Sequence, residues 1–305
     1  MKSYDELYLE MEKRFSINEK SIKRFHHSES VGQMAVKINH ALNLGLDDED
    51  LKIAGILHDY CKIATDDELL AIYQQKAPLD HETLKAKSTI HAFLAPLLLK
   101  EQYPDLKDEI LNAIKYHTTA RPSMSLMEKV IYVADAVEET RAYSDLHYYQ
   151  KLSQTNLDQA VYEVLDYTVK DLTKCGRYIH QITLDAYNYY KNLGLRDPDL
   201  NKVLTTINET VLNDVVLYET SEVSPFFDYV IIATSSNLRL IHATIERLRD
   251  LAEIEDFNVL GYTKEKEASW ALIDLNSIIV HIFLKEDRLK YNIDGLYYHL
   301  KKEVF

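Results

Sequence analysis

The sequence predicts a chain of two domains, an all-α helical bundle followed by a small α/β domain with a mixed sheet. Apolar residues recur every three or four positions up to about residue 190, which is the period of amphipathic helices. Beyond the turn-forming segment 193–198, the β-branched runs 229–234 and 278–284 indicate strands. Each part is long enough to bury its own core. We place the two domains at residues 1–195 and 201–305.

The composition excludes several classes of protein. Hydrophobic residues make up 46% of the chain and charged residues 28%, as in globular proteins. A net charge of −14 disfavours direct binding to DNA, because an acidic surface repels polyanions. We expect a cytoplasmic protein with no membrane contact, since there is no signal peptide and no apolar run near the roughly 18 residues of a membrane span. Two cysteines and seven glycines provide neither a disulfide framework nor a glycine-rich phosphate loop.

The first domain is expected to be helical throughout. A polar amphipathic helix is predicted over 3–24 and another over 28–42, so that His27 would begin the second helix. Thr65, followed by acidic residues, is expected to cap a later helix. Further helices are predicted over 51–62, 88–100, 106–117 and 127–137, with two more in 157–190, the last starting at Cys175.

His58 and Asp59 stand side by side at the end of an apolar run. A lone His-Asp pair is weak evidence for a metal site, but His27 precedes it, and His91 and His117 follow on other predicted helices. Neutral imidazole and carboxylate are ligands of borderline and hard divalent cations. A helical bundle can bring such widely spaced side chains together.

Asp135 completes the set from within the segment 127–137, which is apolar almost all round. An ionised carboxylate inside such a helix is costly unless it is paired or binds a metal. Each histidine taken alone could simply cap or pack a helix. The aspartate in an apolar helix is the best single-residue argument that the set binds metal.

Four segments of the first domain stand out as motifs: RFHH at 24–27, HDYCK at 58–62, YHTTARP at 116–122 and EKVIYVAD at 128–135. Together they resemble the motifs of the YqeK family of HD-domain hydrolases, which are symmetrical dinucleoside tetraphosphatases. The resemblance covers about residues 20–190. The family usually has glycine where this chain has Ala120, and a turn with positive φ would be strained there.

The resemblance implies a di-metal enzyme that cleaves diadenosine tetraphosphate into two ADP, with iron or manganese as the metal. One cation would be held by His27, His58, Asp59 and Asp135, and the other by Asp59, His91 and His117, with Asp59 as the bridge. Asp59, Lys62 and Arg121 are the expected catalytic residues. Substrate phosphates are expected to contact Arg24, Lys62, Thr118, Arg121 and Arg141. Hydrolysis of a dNTP, a nucleoside monophosphate or a cyclic dinucleotide stays open, because the metal site does not separate these reactions.

The second domain is expected to mix helices with a small sheet. Asn276 and Ser277 would form the turn of a hairpin between its last two strands. The predicted helices are 203–212 and 238–254, and the predicted strands are 214–218, 229–234, 270–275 and 278–284.

This domain resembles the ribosomal silencing factor family, through DYVIIAT at 228–234, WALID at 270–274 and VHIFL at 280–284. The resemblance implies a nucleotidyltransferase-like fold that binds a large-subunit ribosomal protein and blocks subunit joining. The exposed residues expected at that interface are Glu286, Arg288 and Tyr291. Ser235 and Asn237 stand where the family usually has glycine and serine. We therefore predict a bifunctional protein; the alternative is a ribosome anti-association factor whose first domain acts as a sensor.

Overall fold

The structure, a computed structural model, describes residues 2–77, 81–142 and 146–305. The chain divides into two units, Met1–Leu195 and Arg196–Phe305. In these described ranges, no helix combines the length and the apolar composition that crossing a membrane requires.

The first unit is helical, as the sequence predicts, and its helices enclose one apolar core. Helices α2, α3, α7 and α8 pack against one another at its centre. The helices are α1 (Tyr4–Phe15), α2 (Glu19–Leu42), α3 (Asp48–Leu57), α4 (Asp66–Lys76), α5 (His81–Lys85), α6 (Ile90–Gln102), α7 (Asp108–Tyr116), α8 (Leu126–Val137), α9 (Leu146–Ser153), α10 (Leu157–Lys174) and α11 (Gln181–Lys191). As expected, Thr65 caps α4, and its hydroxyl accepts a hydrogen bond from the Glu68 amide.

Several helix boundaries differ from the sequence prediction. The helix predicted over 51–62 ends at Leu57, so that His58 is its C-cap and Asp59 lies beyond it. The single helix predicted over 3–24 is wrong, because the Asn18 side chain accepts a hydrogen bond from the Ser21 amide and caps a new helix. His27 therefore lies within α2, not at the start of a helix. The helix predicted from Cys175 begins at Gln181, because Gly176 adopts a φ of 63° after α10 and His180 caps α11.

The second unit is built on a six-stranded mixed sheet with the order β3-β4-β5-β2-β1-β6. Strands β2 and β5 are parallel and the other neighbours are antiparallel, so the predicted hairpin of β4 and β5 is present. The strands are β1 (Asn213–Glu219), β2 (Tyr229–Ser235), β3 (Gly261–Tyr262), β4 (Trp270–Asp274), β5 (Ile278–Leu284) and β6 (Lys302–Val304). The helices are α12 (Pro198–Asn208), α13 (Leu238–Ile254), α14 (Lys285–Tyr291) and α15 (Asp294–Tyr297).

The two faces of this sheet have different cores. Aliphatic residues of α12 and α13 cover one face, and an aromatic cluster that includes Tyr218 and Phe283 covers the other. The helix predicted over 203–212 starts earlier, at Pro198, because the Asp197 side chain caps it. Strands β3 and β6 have two and three residues, too few to show a period of two in the sequence.

Candidate metal centre

Asp59 lies among the predicted metal ligands, and its two carboxylate oxygens face different histidines. Oδ2 lies 3.5 Å from Nε2 of His58 and 3.9 Å from Nε2 of His27. Oδ1 lies 3.4 Å from Nε2 of His91 and 3.7 Å from Nε2 of His117. A buried carboxylate whose oxygens face two separate pairs of imidazoles has the arrangement needed to bridge two cations.

Asp135 lies on the side of the cluster formed by His27 and His58. Its Oδ1 atom is 3.1 Å from Nε2 of His27 and 3.9 Å from Nε2 of His58. The structure thus brings all six predicted ligands together. Three overlapping groups have donor atoms within 4.8 Å of one another, and these are His27, His58 and Asp59; His58, His117 and Asp135; and Asp59, His91 and His117.

The ligands converge because three helices end or begin at the cluster and two more pass beside it. His58 and His117 are the C-caps of α3 and α7, and Asp59 directly follows α3. His91 is the second residue of α6, whereas His27 and Asp135 project from within α2 and α8. Because His58 and His117 lie at helix ends, the apolar faces of α3 and α7 are left to pack in the core.

Backbone carbonyls fix the tautomer of His58, His91 and His117. In each case Nδ1 donates to the carbonyl three residues earlier, which requires the proton on Nδ1 and leaves a lone pair on Nε2. The acceptors are Gly55, Ser88 and Ile114, at 2.7, 2.8 and 2.6 Å respectively. The lone pairs of all three Nε2 atoms are thus available as ligands.

These lone pairs converge on one space, which favours a cation there. Nε2 of His91 lies 3.1 Å from Nε2 of His117, and two lone pairs at this distance repel unless a proton or a cation lies between them. Nε2 of His58 is buried and has no hydrogen-bond partner in the described part of the chain. The residues present therefore fit divalent cations held by nitrogen and oxygen donors.

Protonation states support the same conclusion. Burial lowers the pKa of His117 to about 4, and burial and the His117 charge hold the pKa of His91 well below its usual value. Burial raises the pKa of Asp59, but the surrounding histidines more than offset this effect and keep it ionised. Burial lowers the pKa of His27, whereas its contacts with Asp135 and Glu138 raise it to about 9. A cation at His27 therefore competes with a proton.

Four of the predicted substrate residues lie beside the cluster. Arg24 Nη1 donates to Asp59 Oδ2 at 2.8 Å, and Arg141 Nη2 donates to Oδ1 of Asp135 at 2.5 Å. The Thr118 hydroxyl lies 3.2 and 3.0 Å from Nε2 of His91 and His117. Lys62 is close enough for its charge to lower the pKa of His91. Three cations and a hydroxyl thus surround the carboxylates and imidazoles.

Arg121 is placed differently. Its Nε and Nη2 atoms donate to the buried Glu128, and Nη1 donates to the carbonyl of Pro122. The guanidinium also lies 5.2 Å from the centre of the Tyr116 ring. These contacts fasten the loop that follows His117, and they favour a role for Arg121 in shaping that loop over direct contact with phosphate.

Ala120 in the same loop has the backbone conformation for which the family uses glycine. Its φ is 55° and its side chain is fully buried. A non-glycine residue in this left-handed region is strained. The expected strain is therefore present. The Ala120 amide donates to the carbonyl of Tyr116 at 2.8 Å, and this bond and the contacts of Arg121 with Glu128 hold the loop in place.

Among the buried carboxylates that the sequence did not single out, Glu138 and Glu128 contact residues of the candidate site. Glu138 accepts a hydrogen bond from Nδ1 of His27, 3.1 Å away, and Glu128 pairs with Arg121. Their sequence signals are slight: Glu138 directly follows the apolar helix that carries Asp135, and Glu128 stands three residues after a capping serine.

A pocket of about 440 Å³ adjoins the cluster. His117 and Asp135 form part of its wall, and Tyr132, Tyr149 and Tyr167 contribute aromatic surface. It is large enough to enclose a small organic group next to the candidate ligands.

In the second unit, the predicted interface residues are not all exposed. Glu286 and Tyr291 are exposed on α14. The prediction that Arg288 is exposed is wrong, because only 13% of its side chain is accessible. It donates to both carboxylate oxygens of Asp294 and to the Thr234 hydroxyl, so it joins α14 to the sheet.

Ser235 and Asn237 at the end of β2 form a local turn. The Ser235 hydroxyl donates to the carbonyl of Asn237 at 2.8 Å, and the Asn237 side chain caps α13. The chain therefore keeps a capped helix start at the positions where it departs from the family pattern.

Two family models match the chain. The model described as "HD domain" matches residues 24–140, and the model "Ribosomal silencing factor during starvation" matches residues 196–304. A symmetrical bis(5'-nucleosyl)-tetraphosphatase from Bacillus subtilis is 35% identical over 170 residues, which are 54% of this chain and 88% of that protein.

Relatives of each half support the same division. A crystal structure from Clostridium acetobutylicum, described as an HD superfamily hydrolase involved in NAD metabolism, has a TM-score of 0.57 and 30% identity; the match covers 63% of this chain and 98% of that one. The ribosomal silencing factor from Halalkalibacterium halodurans is 24% identical over 98 residues, 32% of this chain and 84% of that protein. The chain is thus an HD-domain hydrolase that belongs to the symmetrical bis(5'-nucleosyl)-tetraphosphatase family and carries a second, ribosomal silencing factor domain.

Proposed function

We propose that the helical unit hydrolyses dinucleoside tetraphosphates symmetrically, converting diadenosine tetraphosphate into two ADP. The observation that carries the proposal is the placement of Asp59, whose Oδ2 faces His27 and His58 while Oδ1 faces His91 and His117. The family relationship supports the choice of substrate, because the Bacillus subtilis relative is named for this activity.

Iron or manganese is the proposed metal, with two ions per chain. Four imidazoles and two carboxylates are a mixed nitrogen and oxygen donor set that suits borderline and hard divalent cations, including these two. When bound, the cations supply an activated water and neutralise charge on the phosphate oxygens.

The side chains around the cluster would hold the substrate. A chain with a net charge of −14 repels a free polyphosphate, so the phosphates must be held by local cations. Arg24, Lys62 and Arg141 supply three positive charges beside the ligands. Thr118 supplies a hydroxyl, and the tyrosine-lined pocket beside Asp135 would enclose one nucleoside.

A substrate panel with product identification tests the proposal. We expect wild-type protein loaded with manganese or iron to give ADP as the nucleotide product of diadenosine tetraphosphate, with little turnover of a dNTP, a nucleoside monophosphate or a cyclic dinucleotide. Asp59→Ala should lose turnover and bound metal while retaining its helical circular dichroism. Asp67→Ala is the matched control, because Asp67 is exposed and pairs only with surface Lys87 among the described contacts. ATP plus AMP as products, or turnover by the Asp59 variant, would contradict the proposal.

For the second unit, we propose binding to a protein of the large ribosomal subunit, which would block subunit joining. The family match over residues 196–304 supports this proposal. Residues 196–305 hold 12 Lys and Arg against 19 Asp and Glu, and this acidic balance favours a basic protein surface over the ribosomal RNA backbone. Fusion to the hydrolase would link dinucleotide removal to translational silencing.

Co-sedimentation of the full chain with purified large subunits tests this second proposal. We expect the wild type to co-sediment, Tyr291→Ala to bind more weakly, and Glu253→Ala on α13 to bind normally. Asp59→Ala should also bind, since the metal site belongs to the other unit. Failure of the wild-type chain to co-sediment would remove the ribosomal function and leave the hydrolase proposal intact.

A further inference from the structure

His27 differs from the other three ligand histidines in the partner of its Nδ1 atom. His58, His91 and His117 all donate from Nδ1 to a backbone carbonyl. Nδ1 of His27 instead lies 3.1 Å from Oε1 of Glu138. One ligand imidazole is thus supported by a negative charge, while three are supported by neutral dipoles.

Glu138 is fastened in place by the residues that follow α8. The Thr140 amide donates to Oε2 at 2.7 Å, and the Thr140 hydroxyl donates to Oε1 at 2.6 Å. Glu138 is fully buried. The Thr140 amide and hydroxyl and Nδ1 of His27 restrain this buried carboxylate, which in turn orients the His27 ring.

A carboxylate acceptor changes the ligand as well as orienting it. A carboxylate accepts a stronger hydrogen bond from Nδ1–H than a carbonyl oxygen does. This increases the electron density on the ring and makes its Nε2 a better electron-pair donor. Nε2 of His27 lies 3.1 Å from Oδ1 of Asp135 and 3.9 Å from Oδ2 of Asp59. The improved donor therefore serves only one side of the cluster.

The number of carboxylates also differs between the two sides. The side with His27 and His58 has both Asp59 and Asp135 as carboxylates. The side with His91 and His117 has Asp59, and Asp135 also has an oxygen within 4.8 Å of a donor atom of His117. Arg24 pairs with Oδ2 of Asp59 and Arg141 pairs with Oδ1 of Asp135, so two positive charges offset the extra carboxylate on the first side. The imidazole supported by Glu138 is therefore the feature that distinguishes the first side.

We propose that Glu138, held by Thr140, is a positioning residue that makes the cation position at His27 the tighter of two unequal positions. The inference rests on the metal site of the proposed function. It goes beyond that function by predicting that the two positions bind a cation with different affinities and that Glu138 affects the affinity of one position only.

Calorimetric titration of the metal-stripped full chain with Mn²⁺ tests the proposal. The wild type should bind two ions with different affinities. Glu138→Gln, which keeps the shape and removes the charge, should weaken the tighter position about 10-fold to 100-fold and change the weaker one by less than about twofold. Thr140→Val, which removes one donor to Glu138, should weaken the same position by a smaller factor. These measurements do not need turnover.

Glu139→Gln is the matched control, because Glu139 is exposed and pairs with Lys37 on the surface. It should leave both affinities unchanged. Unchanged affinities in Glu138→Gln, or an equal fall at both positions, would overturn the inference, since the latter indicates a general structural role. A wild-type chain that binds fewer than two ions would instead overturn the proposed di-metal site, and this inference with it. Thr140→Val retains Glu138 itself and so provides the test if Glu138→Gln fails to fold.

Discussion

Gly55 on α3 lies so close to Gly32 on α2 that a methyl group on Gly55 would fall 2.4 Å from both the Cα and the N atom of Gly32. The two helices thus cross with their backbones in contact. The crossing lies three residues before His58, and His58 donates from Nδ1 to the Gly55 carbonyl. The glycine contact therefore sets the distance between the helices that carry His27 and His58.

Gly55→Ala should destabilise the helical unit and weaken metal binding together. The added methyl cannot be accommodated without separating α2 from α3, and overpacking of this kind costs about 1–3 kcal/mol or more. Gly32→Ala should be milder, because its added methyl would meet Lys52 at 3.2 Å. Urea unfolding followed by circular dichroism at 222 nm measures both effects. Gly261→Ala, where no atom lies within 4 Å, is the control, and an unchanged midpoint for Gly55→Ala would refute the helix-crossing argument.

Ala120 offers a test of backbone strain near His117. Ala120→Gly relieves about 1–2 kcal/mol of strain at its φ of 55°, but it removes a buried methyl worth about 0.8 kcal/mol and adds chain entropy to the unfolded state. These effects nearly cancel, so we expect a change in the free energy of unfolding of less than about 1 kcal/mol. Ala120→Val should cost more than about 2 kcal/mol, because a β-branched residue is poorly tolerated at positive φ. Equal stabilities of the glycine and valine variants, measured by thermal unfolding, would contradict the strain.

His281 should make the second unit sensitive to acid. Burial lowers its pKa to about 4, and its Nδ1 accepts a hydrogen bond from Nε1 of Trp270 at 3.2 Å. Between pH 6.5 and pH 4 the unfolded chain binds a proton that the folded chain excludes, so stability falls as the pH falls through this window. The expected loss is roughly 2 kcal/mol between pH 7 and pH 5.

Fluorescence of Trp270, the single tryptophan of the chain, reports this unfolding. Urea midpoints at pH 7 and pH 5 should differ more for the wild type than for His281→Gln, whose amide oxygen keeps an acceptor for Trp270 and does not titrate. Identical pH dependence in the two proteins would assign the acid sensitivity to other groups.

Removal of metal should lower the melting temperature of the helical unit. Ligand binding to the folded state stabilises it by about 2.7 kcal/mol when the free cation is at 100 times its dissociation constant. Thermal unfolding at 222 nm, with and without chelator, should therefore show a lower transition in chelator for the wild type. Asp59→Ala should show no difference between the two conditions. A wild-type transition that does not respond to chelator or to added Mn²⁺ would argue against metal bound in the native state.

The sequence predicts which six side chains cluster, because chemistry restricts their residue types and apolar periodicity places their helices. Asp135 is the clearest case, since a carboxylate in an apolar helix requires a partner. The break between α1 and α2 at Asn18 comes from a short-range capping hydrogen bond. It hardly changes the spacing of the apolar residues, so a prediction from that spacing gives one continuous helix. Both the position of Asp135 and the cap at Asn18 depend on residues that are close together in the sequence.

Other features depend on tertiary contacts, which periodicity does not record. Arg288 looks exposed beyond the last strand, but Asp294 and Thr234 engage it from other parts of the fold. Glu138 becomes a partner of His27 only when α2 and α8 pack, because 111 residues separate the two. Arg121 likewise pairs with Glu128 in the first turn of α8, and the motif around Arg121 does not indicate this ion pair.

The central claim is that Asp59 bridges two cations with its two oxygens. Anomalous diffraction from crystals of the full chain grown with Mn²⁺ measures this directly. We predict two anomalous peaks, each about 2 Å from a different oxygen of Asp59, one beside His27 and His58 and the other beside His91 and His117. A single peak, or peaks that do not contact Asp59, would contradict the account.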